Sequence, residues 1–147
     1  MTLDAVSSAW KIIPGLKSKD IRVTAKFYTD GLRFQLGGMH QHVDSDNPEP
    51  FFLSIAAGAK SVANMYYSRW EANEHESSLP VGQVWVALGT DELDQYYDAI
   101  VKKGSVRVVE KVEDKPWGYR QFTILDPDGN RLTFFRFLEG GNPGTEE

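Results

Sequence analysis

The sequence contains no cysteine. Disulfides, thiolate metal sites and cysteine nucleophiles are therefore excluded, and the composition fits a reducing compartment. Basic residues are in the minority: 16 Lys and Arg stand against 21 Asp and Glu, for a formal net charge of −5. Nucleic-acid binding draws on a basic face, so no nucleic acid is expected as a partner. An acidic balance of this size mildly favours cationic small molecules. Long apolar runs are missing as well. No stretch approaches the roughly 20 apolar residues of a membrane helix. Residues 1–13 lack the basic-then-apolar pattern of a secretory leader. A soluble cytoplasmic protein without membrane contact is the expectation. Neither a GxSxG elbow nor a GxxxxGK[ST] phosphate loop is found. The glycines of residues 31–38 follow a helical pattern rather than precede one, so they are not a dinucleotide fingerprint.

What is there is ordinary in bulk. A chain of 147 residues, 41% hydrophobic and 25% charged, fits one globular domain with a substantial core. Aromatic residues make up 12% and include Trp10, Trp70, Trp85 and Trp117. They can fill a core or line a pocket for a flat, apolar ligand, because rings give large contact area at low entropic cost.

The pattern repeats after about 70 residues. Residues 10–16 are strand-like, 18–31 helical and 32–36 strand-like. Residues 83–88, 90–104 and 106–112 repeat that order. In the second helix Leu93, Tyr96, Tyr97, Ile100 and Val101 draw one apolar stripe. Thr90 or Asp91 can cap it, and Gly104 suits a left-handed stop. In the first, Ile21, Thr24, Phe27 and Tyr28 form the stripe, Ser18 or Asp20 the cap and Gly31 the stop. Strands over residues 51–55 and 61–67 follow in one half, and over 119–125 and 131–137 in the other. The last two are joined by Asp126-Pro127-Asp128-Gly129-Asn130, a strong hairpin signal. Each half reads βαβββ. Module one spans about 10–70 and module two about 81–138. A polar linker occupies about 71–80, and a flexible tail 139–147.

Two sets of residues carry a family likeness. Pro116-Trp117-Gly118-Tyr119-Arg120-Gln121-Phe122 followed by the Asp126–Asn130 turn is one. Asp20-Ile21, Phe27-Tyr28 and Gly31-Leu32-Arg33-Phe34, with Val81-Gly82-Gln83-Val84-Trp85-Val86, is the other. Together they resemble the glyoxalase/bleomycin-resistance/dioxygenase superfamily, closest to its bleomycin-resistance branch, over roughly residues 10–138. The resemblance implies an α+β vicinal oxygen chelate fold, with two βαβββ modules whose curled mixed sheet surrounds a pocket. It also implies a homodimer that binds a small molecule in grooves shared by two chains.

Enzymes of this family commonly hold a divalent metal on the first and last strand of each module. Local alignment transfers those positions to Ile13, Asn64, Gln83 and Thr133, a set without carboxylate or imidazole. Such donors offset the cost of dehydrating a divalent ion. No metal and no other cofactor are therefore expected. His40 and His42, with Asp44 and Asp46, read as a polar loop, and Glu74-His75-Glu76 as solvated linker. Glu110, Glu113 and Asp114 read as surface charge. Arg120 reads as a group that positions the Pro116-Trp117-Gly118 loop through backbone carbonyls. The expected ligand-binding residues are Trp117, Trp85, Tyr66, Gln83, Asn64, Phe52, Phe34 and Trp70. The expected function is metal-independent capture of a hydrophobic or aromatic small molecule, such as an antibiotic or another natural product. The alternative is an enzyme of the same fold, metal-dependent or metal-free, with glyoxalase-, dioxygenase- or isomerase-like chemistry.

Overall fold

Alternating apolar residues bury one face of a strand and leave the other to solvent or a ligand. That alternation runs through both halves. The computed structural model describes residues 4–41, 49–72 and 78–141. His42, Asp44, Asp46, the Glu74-His75-Glu76 run and most of the tail lie outside the described residues. Beyond a short helix α1 (Asp4–Ser7), the first half forms strands β1 (Gly15–Ser18), β2 (Gln35–His40), β3 (Phe52–Ala57) and β4 (Ala63–Arg69) around helix α2 (Ile21–Lys26). The second half forms β5 (Gln83–Ala87), β6 (Arg107–Asp114), β7 (Tyr119–Leu125) and β8 (Arg131–Phe137) around helix α3 (Leu93–Lys102). The two sheets have the same order, β1-β4-β3-β2 and β5-β8-β7-β6. In each, the first strand runs parallel to the last and the other pairs are antiparallel. This is the duplicated α+β vicinal oxygen chelate architecture.

The two inner faces share one core. Leu53, Ile55, Met65 and Tyr67 of the first sheet join Phe122, Ile124, Leu132 and Phe134 of the second. Phe34 bridges them, its ring centroid 6.3 Å from that of Phe134. Truncating a buried leucine such as Leu132 to alanine would cost about 2–5 kcal/mol in lost transfer energy and cavity formation.

The Asp126–Asn130 turn does more than reverse the chain. Asp126 Oδ1 accepts from the N–H groups of Asp128 and Asn130. Its Oδ2 accepts from Asn130 Nδ2 and, at 2.7 Å, from the hydroxyl of Tyr67 in module one. Asp128 accepts from Lys19 N–H and from the Thr24 hydroxyl. Asn130 accepts from Gly82 N–H and donates to the carbonyl of Lys17. The hairpin therefore bolts the modules together through one buried bond, Tyr67 to Asp126, and through less buried bonds to Lys17, Lys19 and Thr24.

Several local expectations change. The first strand begins at Gly15 rather than near Trp10, and Trp10 and Ile12 stay exposed. Asp20 caps α2, accepting from Arg22 and Val23 N–H. The helix then widens into a π turn over Phe27–Gly31. Its left-handed residue is Arg33 (φ 64°), not Gly31. The bond from Phe34 N–H back to Tyr28 C=O closes that end. In module two Gly104 takes the left-handed role at φ 71°, as expected. Among the described residues, Arg120 bonds carboxylates rather than backbone carbonyls. Its guanidinium bonds Asp94 of α3 at 2.8 Å and Asp114 of β6 at 2.7 Å. It ties helix to sheet and holds the Asp94 carboxyl below its ordinary pKa.

Candidate functional site: the helix-free sheet faces

With helices on the inner faces, the outer face of each sheet is left uncovered by its own module. On the second sheet this face is aromatic. Val84 points inward, so its neighbour Trp85 points out and is 48% exposed. Tyr119 on β7 and Phe135 on β8 stack with ring centroids 4.3 Å apart. Trp85 meets Phe135 edge-on at 5.9 Å, and Phe137 lies 5.5 Å from Tyr119. Trp117 enters from the β6–β7 turn, and Gly118 follows it at φ 95°, which the turn requires. The Trp117 indole donates to Gln121 Oε1 at 3.1 Å, which holds the ring over the face while 56% of it stays exposed. Trp85, Trp117, Tyr119 and Phe135 bound an open cavity of about 370 Å³.

A polar strip borders this platform. Glu110 takes an ion pair from Lys115 at 3.1 Å and a longer one from Arg131 at 3.7 Å. Lys115 also pairs with Glu113, and its ammonium sits 5.7 Å from the centre of the Trp117 ring. The Lys115 bond keeps the Glu110 carboxyl below its ordinary pKa. The Thr123 hydroxyl bonds that of Thr133 at 2.7 Å and lies 3.4 Å from Glu110. Glu110 thus faces the same surface as the rings rather than serving as solvated charge alone.

The first sheet carries a smaller aromatic ladder on its outer face. His40 and Phe52 lie 5.7 Å apart and Phe52 and Tyr66 5.0 Å apart. His40 is part of β2, not of the following loop. Asn64 shares this face, and its buried Oδ1 has no hydrogen-bond partner among the described residues.

Strand register corrects the alignment of the metal positions. Trp85 pairs with Thr133 in module two, and Gly15 pairs with Tyr66 in module one. Ile124 faces Leu132 where Ile55 faces Met65, which gives the same offset. The counterpart of Thr133 is therefore Tyr66 rather than Asn64, while Ile13 and Gln83 remain counterparts. The set becomes an alkyl group, a phenol, an amide and a hydroxyl already bonded to Thr123. These residues do not fit a divalent cation, which needs anionic or imidazole donors. Among the described residues, no group of three or more His, Asp or Glu side chains is placed to hold an ion.

The expected binding residues thus fall into separate groups. Trp85 and Trp117 meet on one cavity. Gln83 stands exposed at the start of β5 on the same face. Phe52, Tyr66 and Asn64 lie together on the other sheet. Phe34 is buried between the modules and belongs to neither face. Trp70, just beyond β4, is partly buried, and its indole nitrogen has no hydrogen-bond partner among the described residues. The residues missed were Tyr119, Phe135 and Phe137. Period-two spacing from Gln121 and Thr133 would have found them.

Fold and site together define a vicinal oxygen chelate protein whose metal positions lack metal-binding side chains. Residues 15–134 match the Glyoxalase/Bleomycin resistance protein/Dioxygenase superfamily, and the chain belongs to it. It is 26% identical over 136 residues to a bleomycin resistance protein of Geobacillus stearothermophilus, covering 86% of this chain and 96% of that one. It is 28% identical over 124 residues to the uncharacterized protein YwbC of Bacillus subtilis, covering 83% and 93%. Among solved structures, TioX from Micromonospora sp. ML1 superposes with a TM-score of 0.68 at 18% identity, covering 88% of this chain and all of that one. A glyoxalase/bleomycin resistance protein/dioxygenase from Nocardioides superposes with a TM-score of 0.59 at 23% identity, covering 98% and 95%. These likenesses carry the fold. No helix among the described residues is long and apolar enough to cross a membrane.

Proposed function

We propose that this protein captures a flat hydrophobic or aromatic small molecule without transforming it. The observation that carries this reading is the cluster Trp85, Trp117, Tyr119 and Phe135. Exposed rings of this size, held by a stacked pair and an indole hydrogen bond, cost hydration free energy that a stacked ligand recovers. The bleomycin resistance relatives and the unsuitable metal positions support capture over metal catalysis. The groove is completed by a second copy of the chain. In this reading the aromatic face of one copy's second sheet is set against the His40–Phe52–Tyr66 face of its partner's first sheet, because each face is left uncovered within its own chain. Capture then protects by mass action, in proportion to protein concentration.

Glu110 beside Thr123 and Thr133 supports a second reading, metal-free acid–base chemistry on the same face. One experiment separates the two. Bleomycin and a set of planar bicyclic aromatics are titrated against tryptophan emission, and each compound is recovered for mass analysis. Capture expects saturable quenching, lost in Trp117→Ala and Trp85→Ala, with the compound returned unchanged. A transformed product refutes capture, and so does an absence of saturation across the whole set.

A further inference from the structure

The two modules leave a second cavity on their inner side, away from the aromatic platform. It measures about 480 Å³, within the range of small-molecule sites. Leu32 and Phe34 of module one and Leu88 and Phe134 of module two give it apolar walls. Arg33, Glu92 and Gln95 stand among its lining residues.

Arg33 is unusual in its backbone. It occupies the left-handed position that ends the first helix, at φ 64°. A side chain there costs free energy that glycine avoids. The duplicated fold shows the less costly solution, since Gly104 fills the matching role after α3 at φ 71°. Strained positions of this kind persist where the surrounding structure over-determines them, and they cluster at functional sites. Arg33 is exposed and makes no ion pair or side-chain hydrogen bond among the described residues. Its charge is felt inside the cleft. Burial raises the pKa of Tyr96, and the Arg33 guanidinium partly opposes that rise. The Tyr96 hydroxyl is itself committed to the carbonyl of Leu32 at 2.8 Å. The first turn of α3 opens on the same cleft, and a helix N-terminus favours negative charge.

We propose that this inter-module cleft binds a small apolar carboxylate. Its hydrocarbon part lies against Phe34, Leu88 and Phe134, and its anionic group pairs with Arg33. The assignment is independent of the aromatic platform. The arginine fork suits a carboxylate, which it can hold through two parallel hydrogen bonds.

The probe is 2-naphthoate, with 2-naphthylmethanol as its neutral counterpart, followed by calorimetry. All titrations use Trp117→Ala protein, which removes the platform's contribution. The expected result is saturable binding of one naphthoate per chain. Binding weakens about tenfold for the alcohol and about tenfold in Arg33→Gln, the scale of one charge-assisted hydrogen bond at an exposed rim. Glu92→Gln removes the opposing rim charge and tightens naphthoate binding severalfold. Ala99→Trp fills the cleft and abolishes binding, and circular dichroism confirms that each variant is folded. The proposal is overturned if naphthoate fails to saturate at millimolar concentration. It is equally overturned if Arg33→Gln binds as the parent does, or if Glu92→Gln weakens binding.

Discussion

Replacing Tyr67 with phenylalanine removes one oxygen atom and tests how the modules are joined. The Tyr67 hydroxyl lies 2.7 Å from Asp126 Oδ2 and 2.6 Å from the Tyr28 hydroxyl, all buried. A carboxylate only accepts, so Tyr67 gives its proton to Asp126 and accepts from Tyr28. Burial pushes the pKa of both tyrosines well above the ordinary value, which keeps both hydroxyls neutral and donating. In Tyr67→Phe, Asp126 loses one of its four donors, worth about 1.5–3 kcal/mol for a bond to a charged group. Tyr28 is left with the Met65 sulfur at 3.5 Å, a weak acceptor, which adds about 1 kcal/mol. The expected loss is about 2.5–4 kcal/mol. For a chain of this length that corresponds to a fall in Tm of roughly 5–15 °C. Calorimetry and urea titration read it, with the midpoint shifting at constant slope. Tyr28→Phe keeps the bond to Asp126 and should cost only about 1 kcal/mol. If Tyr67→Phe costs less than Tyr28→Phe, the Tyr67–Asp126 bond does not join the modules as described.

Three further outcomes follow from named contacts. Arg120→Met breaks the tie between α3 and β6; with Asp94 and Asp114 both substantially exposed, solvent screening limits the loss to about 1–2 kcal/mol in urea titration. Acidification acts through carboxylates held by cations, Asp94 by Arg120 and Glu110 by Lys115. Asp94 and Glu110 have folded-state pKa values below their ordinary 3.8 and 4.5. Their stabilisation is therefore present above about pH 4.5 and is lost as pH falls through the folded-state values. A pH series of melting temperatures should show a flatter acid limb in Arg120→Met. Arg33→Gly relieves the left-handed strain and should raise stability by about 1 kcal/mol, and an unchanged Tm would refute that account.

The repeat makes the architecture legible in the sequence itself. Helix, glycine and strand recur in order, and the Asp126–Asn130 turn sits where a hairpin must. What period and composition could not supply was the joint between halves. Tyr67 reads as a strand aromatic, and nothing near it in sequence marks Asp126 as its partner 59 positions away. Trp10 and Ile12 form a short apolar run that suggests an earlier first strand, yet both stay exposed and the strand begins at Gly15. Phe34 was grouped with the ligand residues because aromatics carry no label for inner or outer face. Strand register decides that, and it also moved the counterpart of Thr133 from Asn64 to Tyr66.

Duplication turns the chain into its own comparison. The modules share a strand order and a core pattern, so positions where they differ are not dictated by the shared architecture. At the end of the first helix one module carries Gly104 and the other Arg33, though glycine is the easier choice in both. On the last strand Thr133 bonds a neighbouring threonine, whereas Tyr66 turns an aromatic face outward. The second module's outer face gathers Trp85, Trp117, Tyr119 and Phe135, while the first offers Phe52, Tyr66 and His40. A folding constraint common to both halves would have placed similar residues at both sites. The asymmetry points instead to demands from outside the core, one on each outer face and one at the cleft between the modules.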